Sequence, residues 1–200
     1  NSIYYETLYH SLRVGVLVYY FSEFLGLSEK ERDNIIIASM LHDTGKLFVD
    51  SKILSKKEEL SREDWSVIKK HSYYSYKIAR FLQVENDVTE LCLRHHENKD
   101  GSGYPDGVCL EDLSANILKI CDIYDALRSD RVYRKGYTKN KALEEIRLIE
   151  GIDKVLLNDF EKFIEIFENN LKKMFLDYKD INIFNVKSFF DNLDINRTGT

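Results

Sequence analysis

Two hundred residues with 44% hydrophobic and 32% charged side chains are enough for one globular domain with a sizeable core, and they exclude a disordered chain. The formal net charge of −5 argues against a nucleic-acid polymer as partner, because phosphate backbones select basic faces. No run of about 18 apolar residues is present, and Cys92, Cys109 and Cys121 form no pairing framework, so reduced thiols and a cytoplasmic setting are expected for this domain.

One proline and nine glycines favour long helices over frequent turns. The first helix is expected over residues 3–25, with Leu8, Leu12, Val16, Tyr19 and Tyr20 on one side, ending at Gly26. Ser28 with Glu31 three residues on forms a capping box for a second helix, which carries Ile35, Ile36, Ala38, Ser39 and Leu41 to His42-Asp43 and stops at Gly45. Ser61 with Asp64 repeats the pattern and opens a third helix through Trp65, Ile68 and His71 to Phe81. A fourth, over residues 86–97, turns Val88, Leu91 and Cys92 inward and ends in His95-His96. Residues 98–107 hold three glycines and the only proline, so they form an irregular loop. Further helices are expected over residues 114–129, 140–149, 153–175 and 185–193. The expected fold is all-α, a bundle of about seven to nine helices.

All five histidines fall where metal ligands would be wanted. Glu6 and His10 are four apart, one turn on the same helical face. His42 and Asp43 diverge by about 100° on a helix, so they converge on one site only near a helix end. His71 follows on the third helix, and His95-His96 adjoin the glycine-rich loop. Asp122 sits between Ile120 and Ile123, where an unpaired carboxylate is costly; the bland alternative pairs it with Arg128 or Arg131. Each feature alone is commonplace, yet together they use every histidine in the chain. Imidazole with carboxylate is a ligand set for Mn, Fe or Zn.

The run Leu41-His42-Asp43-Thr44-Gly45-Lys46, then His71, His95-His96, Asp100-Gly101-Ser102-Gly103-Tyr104-Pro105 and Asp122 resembles the HD-GYP subgroup of the HD-domain phosphohydrolases. His10-Ser11-Leu12-Arg13 is similar to the family's His-x-x-Arg opening, and Arg131-Val132-Tyr133-Arg134 to its basic ending. The resemblance implies an HD-type bundle with a metal centre in its core and hydrolysis of cyclic di-GMP to pGpG, GMP or both. It implies two or three divalent transition-metal ions, iron or manganese first. His42, Asp43, His71, His95, His96 and Asp122 would hold a dinuclear pair, with Asp43 bridging. Glu6 and His10 would add the ligands of a third ion. Asp43 and Lys46 would carry the catalysis; Lys46, Gly103, Tyr104, Asp125, Arg131 and Arg134 would meet the substrate. Alternatives are another nucleotide, such as cyclic GMP-AMP or a mononucleotide, or a catalytically inert cyclic-dinucleotide receptor. The chain departs from the pattern at Leu47-Phe48-Val49-Asp50, where Ile-Pro is usual, and at Leu113-Ser114, where a proline is expected. Both put loop shape in question rather than ligands.

The resemblance spans about Glu6 to Gly136. Residues 1–150 are accordingly expected to be the catalytic domain and 151–200 a helical extension packed on it. The chain opens on Asn1-Ser2-Ile3 without Met or signal peptide, which reads as a piece of a longer protein. A regulatory or sensor domain and a membrane anchor would belong to that longer chain, while the alternative role for the helices of residues 151–200 is to mediate a homodimer.

Overall fold

Ser28 accepts from the Glu31 amide while Glu31 returns a bond to the Ser28 amide, so α2 (Glu29–Leu41) starts where its capping box predicts. The same reciprocity between Ser61 and Asp64 opens α4 (Arg62–Ile68). The computed structural model describes residues 2–130 and 135–174. Among them all regular structure is helical. The other elements are α1 (Ser2–Phe24), a 3-10 turn (Thr44–Phe48), α3 (Ser51–Leu54), α5 (His71–Phe81), α6 (Asn86–Arg94), α7 (Leu113–Arg128), α8 (Lys139–Leu148) and α9 (Lys154–Met174).

Three expectations about elements need correction. The 3-10 turn and α3 were not predicted. Gly45 does not stop α2, which ends at Leu41 with His42 as its C-cap. Instead Gly45 lies inside the 3-10 turn, where an added Cβ would sit 2.0 Å from the His71 carbonyl oxygen. Only glycine lets this turn approach α5 so closely. The third expected helix is two helices, α4 and α5, separated at Lys69 and Lys70. The Lys70 amide bonds back to the Val67 carbonyl, a tighter step than an α-helix makes, and this re-aims His71. The two departures from the family pattern are also explained locally. Asp50 caps α3 through the Lys52 amide, and Asp112 caps α7 through the Ala115 amide.

The first helix turns the opposite face inward from the one expected. Leu8, Val16, Tyr19 and Tyr20 are exposed, whereas His10, Val14, Leu17, Val18 and Phe21 are buried. Apolar residues encircle α1, so periodicity could not choose a side; packing against α2 and α7 does. At the centre runs α7, whose residues from Ala115 to Asp122 are all buried. Phe160 and Phe163 of α9 pack on Phe21 with ring centroids 5.0 and 5.2 Å away, and Phe160 lies 5.2 Å from Tyr124 of α7. Leu157, Phe160 and Ile164 of α9 and Ile146 of α8 join the same buried cluster as α1 and α7. The short helix expected over residues 185–193 lies outside the described residues.

Candidate metal centre

Three helix ends and the inner face of α1 deliver the imidazoles. His42 caps α2, His71 opens α5, His95 caps α6 with His96 next to it, and His10 sits on the inner face of α1. Three of the rings are held by one device. Nδ1 of His42, His71 and His95 lies 2.7, 2.6 and 2.9 Å from the carbonyl three residues back, of Ser39, Ile68 and Cys92. A carbonyl can only accept, so each Nδ1 carries the proton and each Nε2 presents a lone pair inward.

The His71 and His95 lone pairs face each other with no donor between them. His71 Nε2 is 3.3 Å from His95 Nε2 and 3.2 Å from His96 Nε2. His42 Nε2 is fully buried and has no hydrogen-bond partner. A buried acceptor left unpaired is costly, and a ring of acceptors facing one another needs a cation. The donor set therefore fits metal ions. Two groups of ligand atoms lie within 4.8 Å of one another: His71, His95 and His96, and His10, His42 and Asp43.

Asp43 faces both groups. Its Oδ1 is 3.4 Å from His71 Nε2, and its Oδ2 is 3.6 Å from both His10 Nε2 and His42 Nε2. Lys46 Nζ lies 2.5 Å from Oδ2, with a quarter of its side chain exposed. Asp122 approaches from α7, Oδ1 at 2.9 Å from His10 Nε2 and 3.8 Å from His42 Nε2. Among the described residues Asp122 is thus paired with His10 rather than with Arg128.

Burial and charge compete at Asp43, Asp122 and His10. Burial would raise the Asp43 carboxyl, but Lys46, His42, His71 and His10 together hold it well below the usual range. Asp122 is likewise held well below by the hydrogen bond and charge of His10. Burial drives His95 and His96 well below an ordinary histidine, and lowers His71. Burial would also lower His10, yet the flanking Asp122 and Asp125 carboxylates reverse it to about 9. The His71, His95 and His96 rings are thus neutral ligands at pH 7, and the carboxylates are anions.

Several expected site residues take other places. Asp125 is fully buried: it accepts from Arg13 Nε at 2.6 Å and Nη2 at 2.9 Å, and its Oδ2 lies 2.6 Å from His10 Nδ1. With both oxygens engaged it orients His10 and has no face for a substrate. Gly103 packs on the backbone behind the His pair, where a Cβ would meet the His96 oxygen and Glu97 Cα at 2.4 Å. Glycine is required there for this close approach. Tyr104 stacks on His96, centroids 4.6 Å apart, with Lys69 Nζ 5.0 Å from its ring centre. Glu6, one turn before His10, is exposed and stands outside both ligand groups. Arg131 and Arg134 lie outside the described residues. Sequence reading gave no role to Arg13 or Glu97. The His-x-x-Arg opening was the available signal for Arg13; for Glu97 it was only its place directly after the His pair.

A profile of the family described as HD domain matches residues 5–155. A cyclic di-GMP phosphodiesterase response regulator of Xanthomonas campestris is 40% identical over 129 residues, 61% of this chain and 33% of that protein. A 3'3'-cGAMP-specific phosphodiesterase of Vibrio cholerae is 34% identical over 174 residues, 80% of this chain and 33% of that protein. The chain thus spans about a third of the length of these relatives. An HDG"Y"P protein from Bdellovibrio bacteriovorus shares the fold, with a TM-score of 0.66 at 19% identity over 80% of this chain and 52% of that one. The chain belongs to the HD domain family, in its HD-GYP branch.

Proposed function

We propose that this domain is a metal-dependent phosphodiesterase that hydrolyses cyclic di-GMP, or the related cyclic GMP-AMP, to a linear dinucleotide or mononucleotides. The observation that carries the reading is Asp43, whose two oxygens face two separate groups of imidazoles. His71, His95 and His96 would hold one ion and His10, His42 and Asp122 the other, with Asp43 shared. Iron or manganese suits this mixed nitrogen and oxygen set. Bound there, divalent ions would bring the pKa of water toward neutrality and offset the charge of a phosphodiester.

The chain's own groups supply the rest. Lys46 is a partly exposed ammonium on Asp43, and would turn from that carboxylate to a phosphate oxygen once ions neutralise the site. Arg131 and Arg134, carried over from the motif, would hold the phosphates as bidentate forks. Tyr104 would offer its ring to a nucleobase beside His96. The names of the two relatives support a cyclic dinucleotide and differ in the second base. Two ions suffice for the donors that converge; a third would require Glu6 to turn in beside His10.

Product analysis and metal content of purified variants test this together. Wild type should open cyclic di-GMP or cyclic GMP-AMP, and Asp43→Ala should abolish turnover and lose metal. Glu6→Ala should lower the metal count by one only if the third ion exists. Full turnover by Asp43→Ala would end the proposal.

A further inference from the structure

Glu97 is a completely buried carboxylate that follows directly on the His95-His96 pair, and the chemistry above makes no use of it. Its oxygens do not point at the imidazoles. Oε1 accepts from the Asp106 amide at 2.6 Å and the Gly107 amide at 3.1 Å, and Oε2 from the Val108 amide at 3.1 Å. These three amides are the returning arm of the glycine-rich loop. The backbone carbonyl of Glu97 accepts from Lys119 Nζ at 2.7 Å; Lys119 is a buried lysine on α7, one turn before Asp122. One residue thus joins the end of α6, α7 and the returning arm of the loop. The outgoing arm is tied nearby: the Tyr104 amide bonds the His96 carbonyl at 3.2 Å, and the Leu110 amide the Asn98 carbonyl at 3.0 Å.

The consequence falls on Tyr104. Of the His71, His95 and His96 group, His96 is the one ring that is not fully buried, and Tyr104 stacks on it at 4.6 Å. His96 with Tyr104 stacked on it is therefore the partly exposed side of that group. Connecting loops without such ties are mobile. A carboxylate bonded by three amides is a strong, charge-assisted fixture, and only an anion can accept on both oxygens. A glutamine could accept at one end only, and would set its own N–H against a backbone N–H at the other.

We propose that Glu97 is a positioning residue: its carboxylate clamps residues 106–108 to the His95-His96 turn and so holds the Tyr104 ring at the partly exposed side of the metal centre. The clamp itself stands on geometry alone; its kinetic consequence rests on the phosphodiesterase reading.

The test compares wild type with Glu97→Gln in zinc-loaded protein, where structure can be read without substrate. Amide exchange at residues 106–108 should accelerate about tenfold or more, matching the loss of at least one charge-assisted bond. The proton–proton contact between the Tyr104 and His96 rings should weaken, and zinc content should stay the same. With substrate, KM should rise about tenfold at near-constant kcat. Tyr104→Ala should abolish that effect, so that the double variant is no worse than Tyr104→Ala alone. Unchanged exchange would show that no clamp exists. Lost zinc would make Glu97 a support for the ligands, and additive KM effects would show that it does not act through Tyr104. A wild type inactive on cyclic dinucleotides would count against the functional reading, while the exchange and ring-contact measurements still decide the clamp. Should Glu97→Gln fail to fold, Glu97→Asp keeps the buried charge but withdraws it by one methylene, and carries the same measurements.

Discussion

A carboxylate lying 3.4 to 3.6 Å from three imidazole nitrogens of two ligand groups has no neighbour that can take its place, since Asp122 reaches only the His10 and His42 side. Substrate contacts are more forgiving, because each acts alone. For Arg131→Ala and Arg134→Ala, each lost charge-assisted contact is worth about 1.5–3 kcal/mol, so KM should rise roughly 10- to 100-fold with metal content unchanged. Steady-state kinetics with parallel metal analysis checks this; loss of metal would mean the arginines support the centre instead. The identities of the converging groups were legible in the sequence because histidine and aspartate are read by chemistry. The roles of their neighbours were not. Asp125 has the same chemistry as Asp122 and lies one turn further along α7, yet Arg13 and His10 consume both its oxygens. Spacing along one helix cannot show which carboxylate another helix will occupy.

Helix starts were readable where the side chain itself makes the cap, as at Ser28 and Ser61. The 3-10 turn and the step at Lys69-Lys70 have no such local signal. There the Gly45 turn and α5 press together at a distance that only glycine permits, a tertiary contact. α9 was expected as a helix, and its packing is what the structure adds. Phe160 is fully buried against Phe21, Phe163 and Tyr124, so it links α9 to α1 and α7. Phe160→Ala should cost about 3–5 kcal/mol in urea unfolding through lost contacts and the cavity left behind. A cost below about 1 kcal/mol would show that α9 adds little to the core that positions the metal centre.

At the scale of the whole molecule the centre is a set of buried charges that folding must keep in particular protonation states. In metal-free protein, His71, His95 and His96 have folded pKa values below the unfolded 6.5, so the unfolded chain binds more protons and stability falls as pH drops below about 6.5. The depressed Asp43, Asp122 and Asp125 extend that loss further into acid. His10 acts oppositely: its folded value is raised to about 9, so its contribution is complete below 6.5 and is lost as pH climbs through 9. Urea midpoints of the chelated domain should therefore peak near neutrality, and His10→Ala should flatten the alkaline limb. Midpoints that rise steadily to alkaline pH would contradict this charge arrangement. The all-α fold and the central place of the ligands were legible from pattern and motif together. The inner face of α1 was not, because apolar residues surround that helix and the partners that choose a side lie more than ten residues away in sequence.

The central claim is that ions held between Asp43 and the imidazoles make this domain a cyclic-dinucleotide phosphodiesterase. The most direct measurement is metal content against turnover of cyclic di-GMP and cyclic GMP-AMP, in anaerobically purified protein that is stripped with a chelator and then reloaded with iron or manganese. The account predicts that turnover disappears with the metal and returns in proportion to it, reaching its maximum at two ions or more per chain. Undiminished hydrolysis by the stripped protein, or a fully loaded protein that opens neither dinucleotide, would contradict it.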